Sequence, residues 1–348
     1  MNESIFRSFF RSFFIRFGSI LALLLGIIIL FTWMGSAVNK KDSEDHISYT
    51  FSPSVVADAN SKRKVLAETT PVILKMNLQG TIGLNDLDRH KTRELLIESR
   101  ERTLKNDRVK AVLLYVDTPG GTVTDADGIY RLLKEYKEQY KVPVYAYVDG
   151  LCASGGMYVA CAADKIFASE SSIVGSIGVM LSTSMNFSKA LNNIGVETLT
   201  LTAGKDKDSL NPFRPWKPDE AENYQVLIND FYDTFVNIVT TNRPKVNKEK
   251  LISEYGANVF TAFKAEEIGL IDQAGLSYNQ ALELLAEDAG FEDNEYQVIE
   301  LNETNWINTF FKSQADNPLL KGEVKHSVQI EGGLDPKLMN KFLYLKPL

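Results

Sequence analysis

The alternation of strand-like and helix-like segments from Pro71 to Leu201 restricts the fold of this chain more than any other feature. Val109-Lys-Ala-Val-Leu-Leu-Tyr-Val116 is almost continuously apolar and rich in β-branched and aromatic residues. That is the composition of a strong strand. Similar runs occur at Val72–Leu78, Val142–Val148, Lys165–Ala168 and Glu197–Leu201. Residues 91–105, 123–140, 185–194 and the segment after Ser154 carry helical patterns between them. Strands separated by helices cannot pair as tight hairpins, so they lie side by side in a mostly parallel sheet. The pattern predicts an α/β fold. The chain has 348 residues, enough for one large domain or two small ones.

Beyond this region, Pro218 to Asn242 predicts a long helix with Tyr224, Leu227, Ile228, Phe231, Phe235, Ile238 and Val239 on one face. Such a stripe serves as core or as a subunit contact. Pro244 ends it. A turn follows at Ile268-Gly-Leu-Ile-Asp272, then a helix from about 277. Gln297-Val-Ile-Glu-Leu301 has strand character, and the remainder reads as an irregular extension.

The N-terminus has a different character. Phe17 to Val38 is apolar and uncharged. As a helix it would measure about 33 Å, against a hydrocarbon core of about 30 Å. Arg7, Arg11 and Arg16 precede it, and Asp42, Glu44 and Asp45 stand beyond Lys40 and Lys41. The positive-inside bias places the N-terminus in the cytoplasm and the bulk of the chain outside. A cleaved signal peptide is the competing reading, but the run exceeds a typical h-region and Met34-Gly-Ser-Ala-Val38 is a poor cleavage site. The expected organisation is a basic N-terminus (1–16), a membrane anchor in the bilayer (17–38), a juxtamembrane linker (39–69), a main domain (70–290) and a C-terminal extension (291–348). The net charge of −7 disfavours nucleic acid as a partner. Cys152 and Cys161 lack metal-ligand spacing and read as small buried residues rather than a disulfide.

Few residues could carry chemistry. Ser154, in Ala153-Ser-Gly-Gly156, follows a strand and opens a helix. By itself it reads as a helix cap. With a base nearby it reads as a nucleophile. The only histidines are His46, His90 and His326, none at the end of a core strand, and no Gly-x-Ser-x-Gly elbow surrounds Ser154. A lysine can act as base if burial lowers its pKa. Lys205 and Lys207 follow Gly204, though Asp206 and Asp208 beside them fit a solvated loop equally well. Asp117-Thr-Pro-Gly-Gly121 is a turn whose exposed N–H groups could line an oxyanion hole, with the N–H of Gly155 as second donor. Ser176, in Gly175-Ser-Ile-Gly-Val179, is a candidate to hold a lysine amine.

Taken in order, Asp117-Thr-Pro-Gly-Gly-Thr-Val123, Ala153-Ser-Gly-Gly-Met-Tyr158, Ala162-Ala-Asp-Lys-Ile166, Gly175-Ser-Ile-Gly-Val179 and Ala203-Gly-Lys-Asp-Lys207 resemble the signal peptide peptidase A family. The resemblance spans roughly residues 70–290. It implies the Clp protease/crotonase fold of repeated ββα units behind an N-terminal transmembrane helix. It also implies a Ser/Lys peptidase without cofactor, in a bacterial inner membrane with its catalytic domain on the periplasmic side. Ser154 matches the nucleophile, Lys207 the general base, Gly121 an oxyanion contributor and Ser176 the lysine-positioning serine. Lys205 stays open as an alternative base, because Asp206 stands where the family often has an aromatic residue. The family's substrates are signal-peptide remnants and other membrane-associated peptides, and it forms homo-oligomers with each site at a subunit contact. Two other readings remain: a catalytically inactive membrane-anchored scaffold, and a crotonase-like acyl-CoA enzyme, which leaves Ser154 and Lys207 without a role.

Overall fold

The computed structural model of the protein describes residues 16–18, 25–26, 51–84, 87–291, 295–303 and 341–345. Residues 1–48 and 49–348 form two separate units. In the first, residues 16–18 and 25–26 are helical. The expected membrane anchor at 17–38 thus lies almost wholly outside the described residues. Among the described residues no helix is long and apolar enough to cross a membrane. The second unit carries every element named below.

Strand β1 is Phe51–Val56, β2 Val72–Gln79, β3 Val109–Thr118, β4 Gly120–Thr122, β5 Val144–Ala153, β6 Lys165–Ala168, β7 Ile173–Gly175 and β8 Met180–Leu181. Further on come β9 at Val259–Thr261, β10 at Gln273–Ala274, β11 at Gln297–Glu303 and β12 at Phe342–Leu345. The main sheet runs β1-β11-β2-β3-β5-β6-β10. Its neighbours are parallel except β1 and β11. β3 is central, and its apolar run is buried on both faces as its composition requires. Val112, Leu114 and Val116 enter one core with Ile129 and Leu133. Ala111 and Leu113 point the other way, toward Leu282 and Leu285. Burying each such aliphatic side chain contributes about 1.5–3 kcal/mol.

The helices are α1 (Arg89–Glu98), α2 (Val123–Tyr140), α3 (Gly155–Ala160), α4 (Ser188–Asn193), α5 (Glu222–Asn242), α6 (Ala262–Glu267) and α7 (Tyr278–Asp288). Their starts follow side-chain caps where the sequence supplies them: Asp88 accepts from His90 and Lys91 N–H, and Ser277 with Gln280 forms a capping box. α1 ends at Glu98 rather than at the expected 105, and a short 3-10 turn, Arg102–Leu104, follows it. Only the C-terminal part of the α5 stripe is buried, at Phe235 and Val239, with Val236 beside them.

Three expectations change. β5 continues past Val148 to Ala153, because residues 151–153 leave β6 and pair with β7. Glu197–Leu201 is not a strand, and Leu199 and Leu201 are 84% and 85% exposed. The stretch read as a linker supplies β1, which pairs along its whole length with β11, the strand expected at Gln297–Leu301. The remainder, read as irregular, supplies β12, antiparallel to both β4 and β8 in a second, three-stranded sheet.

Candidate active site

At the end of β5 the chain turns sharply into α3 at Ser154, with φ 53° and ψ −114°. A residue with a side chain holds such a conformation at a cost of about 1–3 kcal/mol, so its surroundings must impose it. They do so through the Ser154 N–H, which donates to the Gly175 carbonyl at 2.9 Å, and the Ser154 carbonyl, which accepts from Tyr158 N–H at 3.0 Å. The cap reading fails, because the side chain makes no capping bond to α3. Ser154 Oγ instead donates to the Gly178 carbonyl at 3.4 Å. The residue is 1% exposed.

The glycine turn lies against this elbow. Thr118 Oγ1 donates to the Gly80 carbonyl at 2.5 Å and accepts from Gly120 N–H at 3.1 Å, which fixes the bend between β3 and β4. Gly120 has φ 95°, open to glycine and strained for other residues. Gly121 is packed so closely on Ile82 that a Cβ there would fall 1.8 Å from the Ile82 carbonyl oxygen. A Cβ on Gly155 would lie 3.2 Å from the amide nitrogen of Gly121. The two expected oxyanion glycines are therefore backbone neighbours beside Ser154.

β12 passes through this same place. Its register sets Leu343 opposite Thr122, Tyr344 opposite Gly121 and Leu345 opposite Gly120, while Phe342 and Leu343 pair with Leu181 and Met180 on the other side. A Cβ on Gly120 would lie 2.0 Å from the Tyr344 carbonyl oxygen, and one on Gly155 would lie 3.0 Å from it. The C-terminal strand thus occupies a cleft between β4 and β8, with one carbonyl against the glycine backbone.

Ser176 joins the elbow through its neighbour, since Gly175 receives the Ser154 N–H. It is buried, with φ 58°, and its own N–H donates to the Asn258 carbonyl at 2.7 Å. The structure therefore brings Ser154, Gly155, Gly121 and the Ser176 segment together. It leaves both lysines outside. Lys207 is exposed, and the Lys205 side chain is 93% exposed, with Asp206 3.9 Å from its ammonium. Among the described residues, neither lysine bonds to Ser154 or Ser176. His90 is exposed at the start of α1, and His46 and His326 lie outside the described residues.

Asp208 is held by a residue that sequence reasoning missed. Arg214 donates to it from Nε at 2.7 Å and Nη2 at 3.1 Å, and to Glu220 from Nη2 at 2.6 Å and Nη1 at 2.9 Å. The Arg214 hydrogen bonds lower the Glu220 carboxyl to about 2. The six-residue steps from Asp208 to Arg214 to Glu220 carry no periodic signal, so nothing local announces this clamp. The Tyr344 strand was missed too, although Phe342-Leu-Tyr-Leu345 is a short apolar run that could have marked a strand. Behind the elbow, Cys152 and Cys161 are free and buried, and burial pushes their thiols up, that of Cys161 to about 12. Among the described residues, no cluster of three or more His, Cys, Asp or Glu could hold a metal ion.

A serine on a strained elbow, glycine backbone beside it and a strand laid across the pair stand together on a Clp protease-like α/β fold. The model of peptidase family S49 matches residues 136–292, and that of Clp protease matches 61–175. A protein of Methanocaldococcus jannaschii designated a protease is 37% identical over 199 residues, covering 56% of this chain and 62% of that one. A protein of Enterococcus faecium designated signal peptide peptidase SppA is 32% identical over 229 residues, 64% of each chain. Protease 4 of Haemophilus influenzae is 29% identical over 211 residues, 60% of this chain and 34% of that one. The chain spans less than two thirds of the length of these relatives. The similarities are to peptidase family S49 and to proteins of the signal peptide peptidase A family.

Proposed function

We propose that the chain is a serine endopeptidase in which Ser154 is the nucleophile and Lys207 the general base. The observation that carries this is the Tyr344 carbonyl lying beside Gly120 and Gly155 at the Ser154 elbow, the position a substrate carbonyl would take. Ser154 Oγ attacks a peptide carbonyl, and the N–H groups of Gly121 and Gly155 bind the oxyanion. The lysine amine takes the hydroxyl proton and passes it to the departing amine as the C–N bond breaks. Water then adds to the acyl-serine and frees the new carboxylate.

A second copy of the chain delivers the lysine in this reading. Lys207 is exposed in the single chain, and large apolar side chains stand out on the segment around it. Ile194 is 73% exposed, and Leu199 and Leu201 more so. A cluster of this kind fits a subunit contact better than open water. The half-buried first part of the α5 stripe adds to the same surface. The substrates proposed are signal-peptide remnants and other membrane-associated peptides, met at a bilayer through residues 17–38. The inactive-scaffold reading draws on one observation, that neither lysine reaches Ser154 within one chain.

Labelling with a serine-directed fluorophosphonate, followed by peptide hydrolysis, separates these readings. Ser154→Ala should abolish labelling and lower turnover by at least about 10⁴-fold with the fold intact. Lys207→Ala should lose turnover comparably and Lys205→Ala should retain it. Turnover by Ser154→Ala, or the two lysine variants behaving in the opposite way, would sink the assignment.

A further inference from the structure

Thr118, the last residue of β3, is buried and touches both stretches of backbone that flank Ser154. Its hydroxyl lies 2.5 Å from the Gly80 carbonyl and 3.1 Å from the Gly120 amide nitrogen. The amide can only donate and the carbonyl only accept, so the hydroxyl proton points to Gly80 and a lone pair to Gly120. Gly80 is held in turn, because its N–H donates to the Asp117 carbonyl at 3.0 Å. The hydroxyl therefore ties the Gly120–Gly121 turn to the ends of β2 and β3. The methyl group serves the other side. A Cβ on Gly156 would lie 2.6 Å from Thr118 Cγ2 and 3.3 Å from the Thr118 carbonyl oxygen. The first turn of α3 thus rests on Thr118, one residue beyond Gly155. Strand register adds a third tie. Between β3 and β5 the ladder breaks after Val116 opposite Val148, and resumes with Thr118 opposite Cys152. Thr118 is where β3 is joined again to the strand that leads into Ser154.

We propose that Thr118 is a positioning residue for the oxyanion site: its hydroxyl sets the Gly121 N–H, its methyl sets the Gly155 N–H, and together they aim both donors at one point beside Ser154. The inference rests on the peptidase reading above and adds a side chain that acts through the two glycines. Substitution separates the two contacts. Valine keeps the branched shape against Gly156, but it cannot accept from the Gly120 N–H or donate to Gly80. That leaves a buried amide without its Thr118 partner and frees the turn to move. Serine keeps both hydrogen bonds and leaves only the place of the methyl empty. Charge reaches the oxyanion position only as the carbonyl is attacked. A donor that drifts out of line therefore weakens the transition state and leaves the binding of the intact peptide alone. A residue that merely filled space would lower stability without that distinction.

The test uses the full chain, a Leu-Leu-Leu anilide as substrate and the matching Leu-Leu-Leu aldehyde as inhibitor. The aldehyde carbonyl adds the Ser154 hydroxyl to give a hemiacetal, whose oxygen then lies where the oxyanion forms. Thr118→Val should lower kcat about 10–100-fold, short of the about 10²–10³ that follows outright loss of a donor. KM should stay within about twofold of the parent, and the aldehyde Ki should rise by the factor by which kcat falls. Thr118→Ser should recover most of the loss. A kcat for Thr118→Val within twofold of the parent, or equal losses in the valine and serine variants, overturns the role of the hydroxyl. A raised KM with unchanged kcat also overturns it, because the effect would then lie in ground-state binding. If urea unfolding shows that Thr118→Val does not fold, Thr118→Cys replaces it, with a weaker donor and acceptor in the place of the serine hydroxyl. It should show a lower kcat and a higher aldehyde Ki than Thr118→Ser at the same KM, and matching values overturn the proposal. A parent chain that labels with fluorophosphonate and hydrolyses the anilide, beside variants that do so equally well, overturns this inference alone. A parent that neither labels nor hydrolyses any peptide overturns the peptidase reading and this inference with it.

Discussion

Gly121→Ala perturbs the site through one methyl group. A Cβ at this position would lie 1.8 Å from the Ile82 oxygen, 2.6 Å from its carbonyl carbon and 2.7 Å from its Cα. All three are backbone atoms, so no side chain can rotate away. β4 must move off Ile82 by an ångström or more, about the difference between these distances and an ordinary carbon–oxygen contact. That motion breaks two hydrogen bonds, Thr122 N–H to the Ile82 carbonyl at 3.0 Å and Ile82 N–H to the Gly120 carbonyl at 2.8 Å. At about 0.5–1.5 kcal/mol each, the loss is about 1–3 kcal/mol, which a domain of ordinary stability survives. The same shift takes the Gly121 N–H away from the oxyanion position. Losing one such donor costs about 10²–10³ in kcat. Urea unfolding and peptide hydrolysis should therefore show a folded protein with a deep loss of turnover. Gly290→Ala is the control: φ is +72° and nothing stands within 4 Å of the added methyl. It should lose about 1–2 kcal/mol of stability from backbone strain alone and keep its turnover. If Gly121→Ala retained kcat within threefold of the parent, Gly121 would not contribute to an oxyanion site.

Two further outcomes follow from the charges and thiols around the site. The Glu220 carboxyl falls from its ordinary value near 4.5 to about 2 in the fold. The stabilisation it gives the Arg214 clamp is thus complete above pH 4.5 and lost as pH falls toward 2. Trp216, whose Nε1–H donates to the Asn211 carbonyl at 2.9 Å within the same segment, should report this as a fluorescence change in that window. Arg214→Ala should show the acid-form signal already at pH 7, and a flat trace from pH 6 to 2 in the parent would refute the clamp. Cys152 and Cys161 should resist a thiol reagent at pH 8 in the folded protein and both react in denaturant. Prompt native-state reaction of either would contradict their burial.

Much of the fold was legible because it is local. The run at β3 and the strand-to-helix junction at Ser154 are each written within a few residues. Illegible features joined distant segments. Phe51 pairs with Glu303, and Tyr344 with Gly121. The Glu197–Leu201 run misled for a related reason. An alternating apolar pattern says that a surface is to be covered, but not that a strand of the same chain covers it. At the site, Ser154, Gly155, Gly121 and the Ser176 segment lie together, whereas Lys207 stands in solvent.

The sequence by itself determined the α/β alternation, the serine at a strand end and the glycines that permit close backbone approach. Each depends on side-chain size, polarity or backbone freedom at one point in the chain. Tertiary structure alone decided that β12 lies across the site, that Tyr344 packs on Tyr158 and Phe235, and that Arg214 clamps Asp208 to Glu220. Strand pairing uses N–H and C=O groups that nearly every residue carries, so a strand's partner is not written in its own side chains. It emerges when the sheet has formed and one open edge, between β4 and β8, remains to be filled.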